Sequence, residues 1–199
     1  PNDKTVFKMF GGKQTKERET VYEGVEIKWV KESVEYLGFL FSEDCSWTQH
    51  CKWIVAKARK VLAPIRVLEV KFAGLCIQDE LDLWSSKGFT SLWGIDIWGI
   101  YHVQAVTKLD DDRLRRLLGL GPGVSCQGIR WLLGLTMPKY QIFSRCLKFY
   151  WTHWFFPRDK TVKGAMDLHW DMFRYGPLIA KKFAWTGRIA SLVKEIDPD

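Results

Sequence analysis

Hydrophobic and polar residues alternate through the first forty positions, and the period then changes. Residues 5–10 alternate as a strand does and stop at Gly11-Gly12, and the polar, charged residues 13–20 read as a loop. Residues 21–30, with Val21, Val25, Ile27 and Trp29 as the apolar set, predict a second strand. Residues 34–42, rich in aromatic and β-branched side chains, predict a third. Lys31-Glu32-Ser33 is short and polar, so the last two strands are expected to pair across a tight turn in a small antiparallel sheet. Past Asp44 the apolar positions Trp47, Ile54, Ala58, Val61, Leu62 and Ile65 recur near helical spacing. This predicts a helix capped by Ser46 or Thr48 and running to about Leu68, bent or cut short by Pro64. Further helices are expected over 77–84, 91–106, 110–118, 127–133, 139–155 and 162–173. In the one over 110–118, Asp110-Asp111-Asp112 stands at the start and Arg113, Arg115 and Arg116 follow, an order that suits the helix dipole. The expected fold class is therefore α+β: a small N-terminal antiparallel β-sheet or hairpin, then a mainly α-helical bundle.

Composition narrows the class. The 199 residues suffice for one domain or two small ones, and 47% hydrophobic against 27% charged residues exclude disordered and low-complexity chains. The net charge of +7 is unevenly placed: +3 over residues 1–72, −5 over 73–112 and +9 over 113–199. A basic C-terminal third beside an acidic middle suits a polyanion-binding surface as well as an ordinary solvated one. Five cysteines, an odd number without any CxxC, argue against a disulfide framework and for a reducing, intracellular setting in the nucleus or cytoplasm. The start carries no signal peptide, and the first residue is Pro, which suggests a fragment or a processed chain. Residues 89–106 are mostly apolar but contain Asp96, His102 and Gln104, so a buried helix is expected there rather than a membrane span.

Catalytic patterns are absent from the sequence. Gly11-Gly12-Lys13 lacks the first glycine of a phosphate loop, Gly123–Gly128 has one residue too many for a nucleophile elbow, and no HExxH occurs. Cys45, His50 and Cys51 lie close together without the second pair that a zinc site needs. Three consecutive aspartates on a helix start splay apart, so 110–112 are read as capping rather than as a metal site. What remains is binding chemistry. Lys52, Arg59 and Arg66 are seven apart on one helical stripe, with Lys60 beside them. Farther on, Arg145, Lys148, Tyr150, Trp151 and Trp154 interleave cations with aromatics as nucleic-acid-binding surfaces do, although at least half of the eleven tryptophans are expected to fill the core.

Taken in order, several segments resemble non-LTR (LINE-type) retrotransposon reverse transcriptases. Asn2-Asp3-Lys4-Thr5 followed by residues 6–10 resembles the "NxxKT…MVF" segment that closes the palm. Glu35-Tyr36-Leu37-Gly38-Phe39 resembles the "YLG" primer-grip hairpin. Trp47, the Ala56-Lys57-Ala58 step and Leu62 follow as in the first thumb helix. Residues 91–99 resemble "LLYGaEiWg", residues 115–120 resemble "RRLLGLP", and residues 131–135 resemble the "ELGLLPL" step before a final helix ending in an aromatic cluster like that at 147–151. The resemblance covers roughly residues 1–155 and rests on the order and spacing of these pieces together; residues 156–199 have no clear counterpart.

The resemblance implies a division into the end of the palm and the primer-grip hairpin (1–44), a helical thumb and connector (45–155), and a helical C-terminal extension (156–199). It implies contact with an RNA/DNA primer–template, with Lys4, Tyr36, Leu37 and Gly38 as binding positions. Lys52, Arg59, Lys60 and Arg66 join them by helical spacing rather than by motif. The family's catalytic aspartates belong to palm motifs that these residues lack, so the chain is expected to grip nucleic acid without polymerising alone. No cofactor is expected in this chain, Mg being expected only with the missing palm. The rival expectation is a retained retroelement remnant that serves as a structural subunit of a larger assembly, its aromatic faces turned to protein partners.

Overall fold

The structure, a computed structural model, describes residues 6–7, 20–22, 24–29, 33–72, 76–155, 160–175 and 185–196. Among these residues, five short strands come first: β1 (Val6–Phe7), β2 (Thr20–Tyr22), β3 (Val25–Trp29), β4 (Val34–Tyr36) and β5 (Phe39–Phe41). Helices follow: α1 (Thr48–Phe72), α2 (Ile77–Leu83), α3 (Ile95–Trp98), α4 (Val103–Leu117), α5 (Cys126–Leu132), α6 (Pro138–Phe155), α7 (Lys160–Tyr175) and α8 (Trp185–Ile196). A π-helical turn, Trp84–Gly88, continues α2, and a 3-10 turn, Gly99–Tyr101, continues α3. This is the expected α+β order of small sheets and then helices.

The strands fold more tightly than the alternation alone implies. The run expected to form one strand over 21–30 is two antiparallel strands, Tyr22 pairing with Val25, with Gly24 at φ +77° between them. Only glycine takes such a backbone freely. The run over 34–42 likewise doubles back, Tyr36 pairing with Phe39. β3 and β4 were expected to pair across 31–33, yet they belong to different sheets, ordered β1-β3-β2 and β4-β5. One ladder departs from antiparallel order: β1 lies parallel to β3, Val6 opposite Lys28 and Phe7 opposite Trp29.

In the helical part, α1 passes through Pro64 and ends at Phe72, four residues beyond the expected end. The proline gives up one intrahelical bond and stands exposed. The helix expected over 91–106 is broken. Gly94 is left-handed (φ +69°), and a Cβ on it would meet the Phe39 ring at 2.4 Å. The chain then makes one turn each of α and 3-10 helix, and leaves helical geometry at His102 (φ −132°, ψ 33°) before α4 begins. The aspartates at 110–112 therefore lie in the middle of α4 and cap nothing. α2 is capped by a reciprocal pair, in which the Asp79 N–H donates to Cys76 Sγ and the Cys76 N–H to Asp79 Oδ2.

The core lies where α1, α3, α4, α6 and α8 meet, around Trp98, Leu92, Ile95, Leu109, Ile142 and Ala58. Each large apolar side chain buried there contributes about 1.5–3 kcal/mol. Trp185 and Ile189 of α8 join the same cluster. The Trp84 ring packs against Gly88 at the other end of the π-helical turn, so close that a Cβ at Gly88 would fall 1.8 Å from its Cε3. Among the described residues no helix is long and apolar enough to cross a membrane.

Candidate nucleic-acid interface

The β4–β5 hairpin turns on two residues, Leu37 at φ +48° and Gly38 at φ +80°. Two positive φ values make the mirror-image turn whose twist matches that of paired strands. Glycine suits the second position. Leucine at the first costs about 1–2 kcal/mol, because its Cβ crowds the backbone. The strain is held in place from below. Phe39 packs its ring against Trp47 (5.9 Å) and His50 (5.4 Å), and the Leu40 N–H donates to His50 Nδ1 at 3.1 Å. Gly38 passes so near Trp93 that a Cβ would sit 3.1 Å from the indole. Above this clamp Tyr36, Leu37 and Trp93 stand largely exposed, Leu37 at 74%. The turn thus presents an apolar, aromatic tip on a rigid base.

His50 is the keystone of the clamp. It is fully buried among Phe39, Trp47, Trp53 and Trp98, and its Nε2 has no hydrogen-bond partner. Burial lowers its pKa to about 4. It is a buried, neutral ring; of the cysteines near it in sequence, Cys45 is exposed and burial drives the Cys51 thiol up to about 11. Among the described residues no group of His, Cys, Asp and Glu is placed to hold a metal ion.

Lys52, Arg59 and Lys60 are all exposed on α1. Residues 52 and 59 share one line along the helix, and residue 60 is turned about 100° toward the hairpin side. Lys57 is drawn into the hairpin itself, with Nζ 3.3 Å from the centre of the Trp53 ring and 3.9 Å from Glu35 Oε1. Lys4 and the side chain of Arg66 lie outside the described residues. The row on α6 does not form one face: Arg145 lies over Phe89, Tyr150 packs against Trp185, Trp151 is exposed, and the Trp154 side chain lies outside the described residues.

Arg59 has company that spacing could not reveal. With Arg115, Arg116, Asp112, Leu120 and Pro122 it lines an open cleft of about 450 Å³. Arg115 reaches Asp112 at 3.8 Å and the Val124 carbonyl at 3.4 Å, and Arg116 Nε donates to the Asp112 carbonyl at 2.9 Å. Three guanidiniums face one carboxylate there, at the C-terminal end of α4 where the dipole also favours cations.

The inner face of the same helix is different. Asp110 Oδ2 accepts from Arg130 Nη2 at 2.5 Å, Arg130 Nη2 lies 2.6 Å from Asp111 Oδ1, and Arg113 Nη2 lies 3.2 Å from Asp110 Oδ1. Arg113, Arg130 and Asp110 are buried. Burial works against the charge of Arg130, but hydrogen bonds and attraction from Asp110 and Asp111 outweigh it and raise its pKa. The expected cap is thus a buried ionic cluster joining α4 to α5. Comparison with protein-family models, curated proteins and solved structures finds no match.

Proposed function

We propose that this chain holds a primer–template duplex as the primer-grip hairpin, thumb and connector of a LINE-type reverse transcriptase, inside the cell and without polymerising on its own. The observation that carries this reading is the strained, exposed turn Tyr36-Leu37-Gly38, clamped onto α1 through Phe39 and His50, with Lys52, Lys60 and Arg59 exposed along the same helix. A turn of this kind brings backbone and an apolar tip close to a strand end, while the α1 row and the Arg59–Arg115–Arg116 cleft meet phosphates. The motif order at 35–39, 91–99 and 115–120 supports the same assignment.

Each phosphate neutralised lowers the slope of log affinity against log salt by about 0.9. Binding of an RNA–DNA duplex should therefore fall steeply with salt, with a slope of about −3 or steeper if three of these cations engage. A slope near zero would sink the proposal. The rival reading, a structural subunit in a larger assembly, draws on exposed Trp131 (82%) and Leu132 beside the C-terminal end of α5. It predicts salt-insensitive binding to protein and none to the duplex.

A further inference from the structure

Away from the hairpin and the cleft, a recess of about 150 Å³ opens between α2, the π-helical turn, α4 and α6. That is an order of magnitude more than the roughly 10–15 Å³ that admits one water. Two guanidiniums line it. Arg113, 4% exposed, lies 5.1 Å from the centre of the Trp84 ring, and Arg145 lies 4.6 Å from that of Phe89. Arg113 spends Nε and Nη2 on Asp110 Oδ1, while its Nη1 is buried with no hydrogen-bond partner. A charged donor left unmatched in the interior is costly, and so points to an acceptor that belongs there. Of the remaining polar lining, Ser85 gives its hydroxyl hydrogen to the Asp82 carbonyl at 2.9 Å, while Gln141 and Thr136 have donors to offer. Gln141 gives one amide hydrogen to the Thr136 carbonyl at 3.2 Å and keeps the other, and the Thr136 side chain stands beside it. The carboxylate on the wall, Asp110, is engaged by Arg113 on one oxygen and by Arg130 on the other. Glu80, also buried, acts on Arg113 electrostatically.

We propose that this recess is a binding site for one phosphate group, taken between the guanidiniums of Arg113 and Arg145 with Gln141 and Thr136 as neutral partners. Guanidiniums laid on aromatic rings are already oriented, so little side-chain freedom is lost when they close on a tetrahedral oxyanion. Leu81, Trp84, Phe89 and Leu135 supply apolar walls, which suit the ester carbon of a small phosphate monoester. The site shares no residue with the duplex-binding surface and does not depend on that reading.

The test is a titration of the whole chain at fixed ionic strength, followed by the ¹⁵N–¹H signals of the arginine Nε–H groups. Inorganic phosphate should shift the Arg113 and Arg145 signals saturably, with half-saturation below about 10 mM for two charge-assisted contacts. Arg145→Gln, at an exposed and foldable position, should weaken binding at least about tenfold, the loss of one such contact. Lys139→Gln, outside the recess, should leave binding unchanged. Tighter binding of phenyl phosphate than of inorganic phosphate assigns the site to monoesters, and the reverse order assigns it to free phosphate. The proposal is overturned if neither phosphate shifts these signals saturably, if Arg145→Gln binds as well as the parent, or if acetate binds as well as phosphate.

Discussion

Two faces of α4 carry arginines to opposite ends. On the inner face, Arg113, joined by Arg130 of α5, is paired with Asp110 and Asp111 in a buried cluster beside Glu80. On the outer face, Arg115 and Arg116 join Arg59 around an open cleft with Asp112 alone to offset them. The residue type is the same and the positions are neighbours, so compensation and burial, not identity, decide what an arginine does. Paired and desolvated, it ties helices together and offers an anion only the donor its partners leave over, as Arg113 Nη1 is left; exposed and under-compensated, its whole guanidinium is open to an external anion.

The contrast breaks most sharply at Arg130. Arg130→Ala leaves Asp111 without its cation and Asp110 with Arg113 alone, a loss of about 3–5 kcal/mol that urea unfolding would measure. Replacing Asp110, Asp111, Arg113 and Arg130 together by apolar residues of similar size, with Glu80→Gln beside Arg113, should be far milder, since the buried charges of the cluster are then removed together.

His50 sharpens the comparison, because it is a buried titratable ring kept neutral instead of paired. Its folded pKa is about 4 against 6.5 for the ordinary ring, so the unfolded chain takes up the proton first as pH falls. Stability from this group is full above about pH 6.5, declines between there and about pH 4, and levels off below. At about 1.4 kcal/mol per unit the total is roughly 3 kcal/mol. His50→Gln should flatten that slope in pH-dependent unfolding, and an unchanged slope would reassign it to other groups.

A smaller effect is expected at the hairpin tip. Leu37→Asn relieves a left-handed leucine at an exposed position and should stabilise by about 1 kcal/mol. If the tip grips a strand end, the same substitution should weaken duplex binding even as thermal stability rises. Smallest in stability are Arg59→Gln, Arg115→Gln and Arg116→Gln, within about 0.5 kcal/mol each as surface changes. Each should nonetheless reduce the salt slope of duplex binding by about 0.9, if it meets a phosphate. That pair of results would separate the outer arginines from the inner ones.

Local signals were legible and long-range ones were not. The switch from period two to period 3.6 after Asp44 placed strands before helices, whereas the turn at Leu37-Gly38 was suggested only by the resemblance to the primer-grip hairpin. Alternation cannot show where a run folds back, so two single strands became hairpins at Gly24 and at Leu37-Gly38. Three aspartates followed by arginines look like a helix start. Their partner Arg130 stands twenty residues away on another helix, and only packing reveals the pairing. The Arg59 cleft was hidden likewise: its members are separated by more than fifty residues, and only the docking of α1 on α4 gathers them.

The close packing of Trp84 on Gly88 has a consequence for how this sequence can change over time. Trp84 is also the ring beneath Arg113, so the missing side chain at 88 sets the position of a guanidinium on a different helix. The two positions are bound to vary together. A descendant that acquires any side chain at 88 must trade Trp84 for something smaller, and then loses the ring that orients Arg113. Aligned descendants of this chain should therefore show glycine at 88 wherever tryptophan stands at 84, and show the two replaced in step where either is lost.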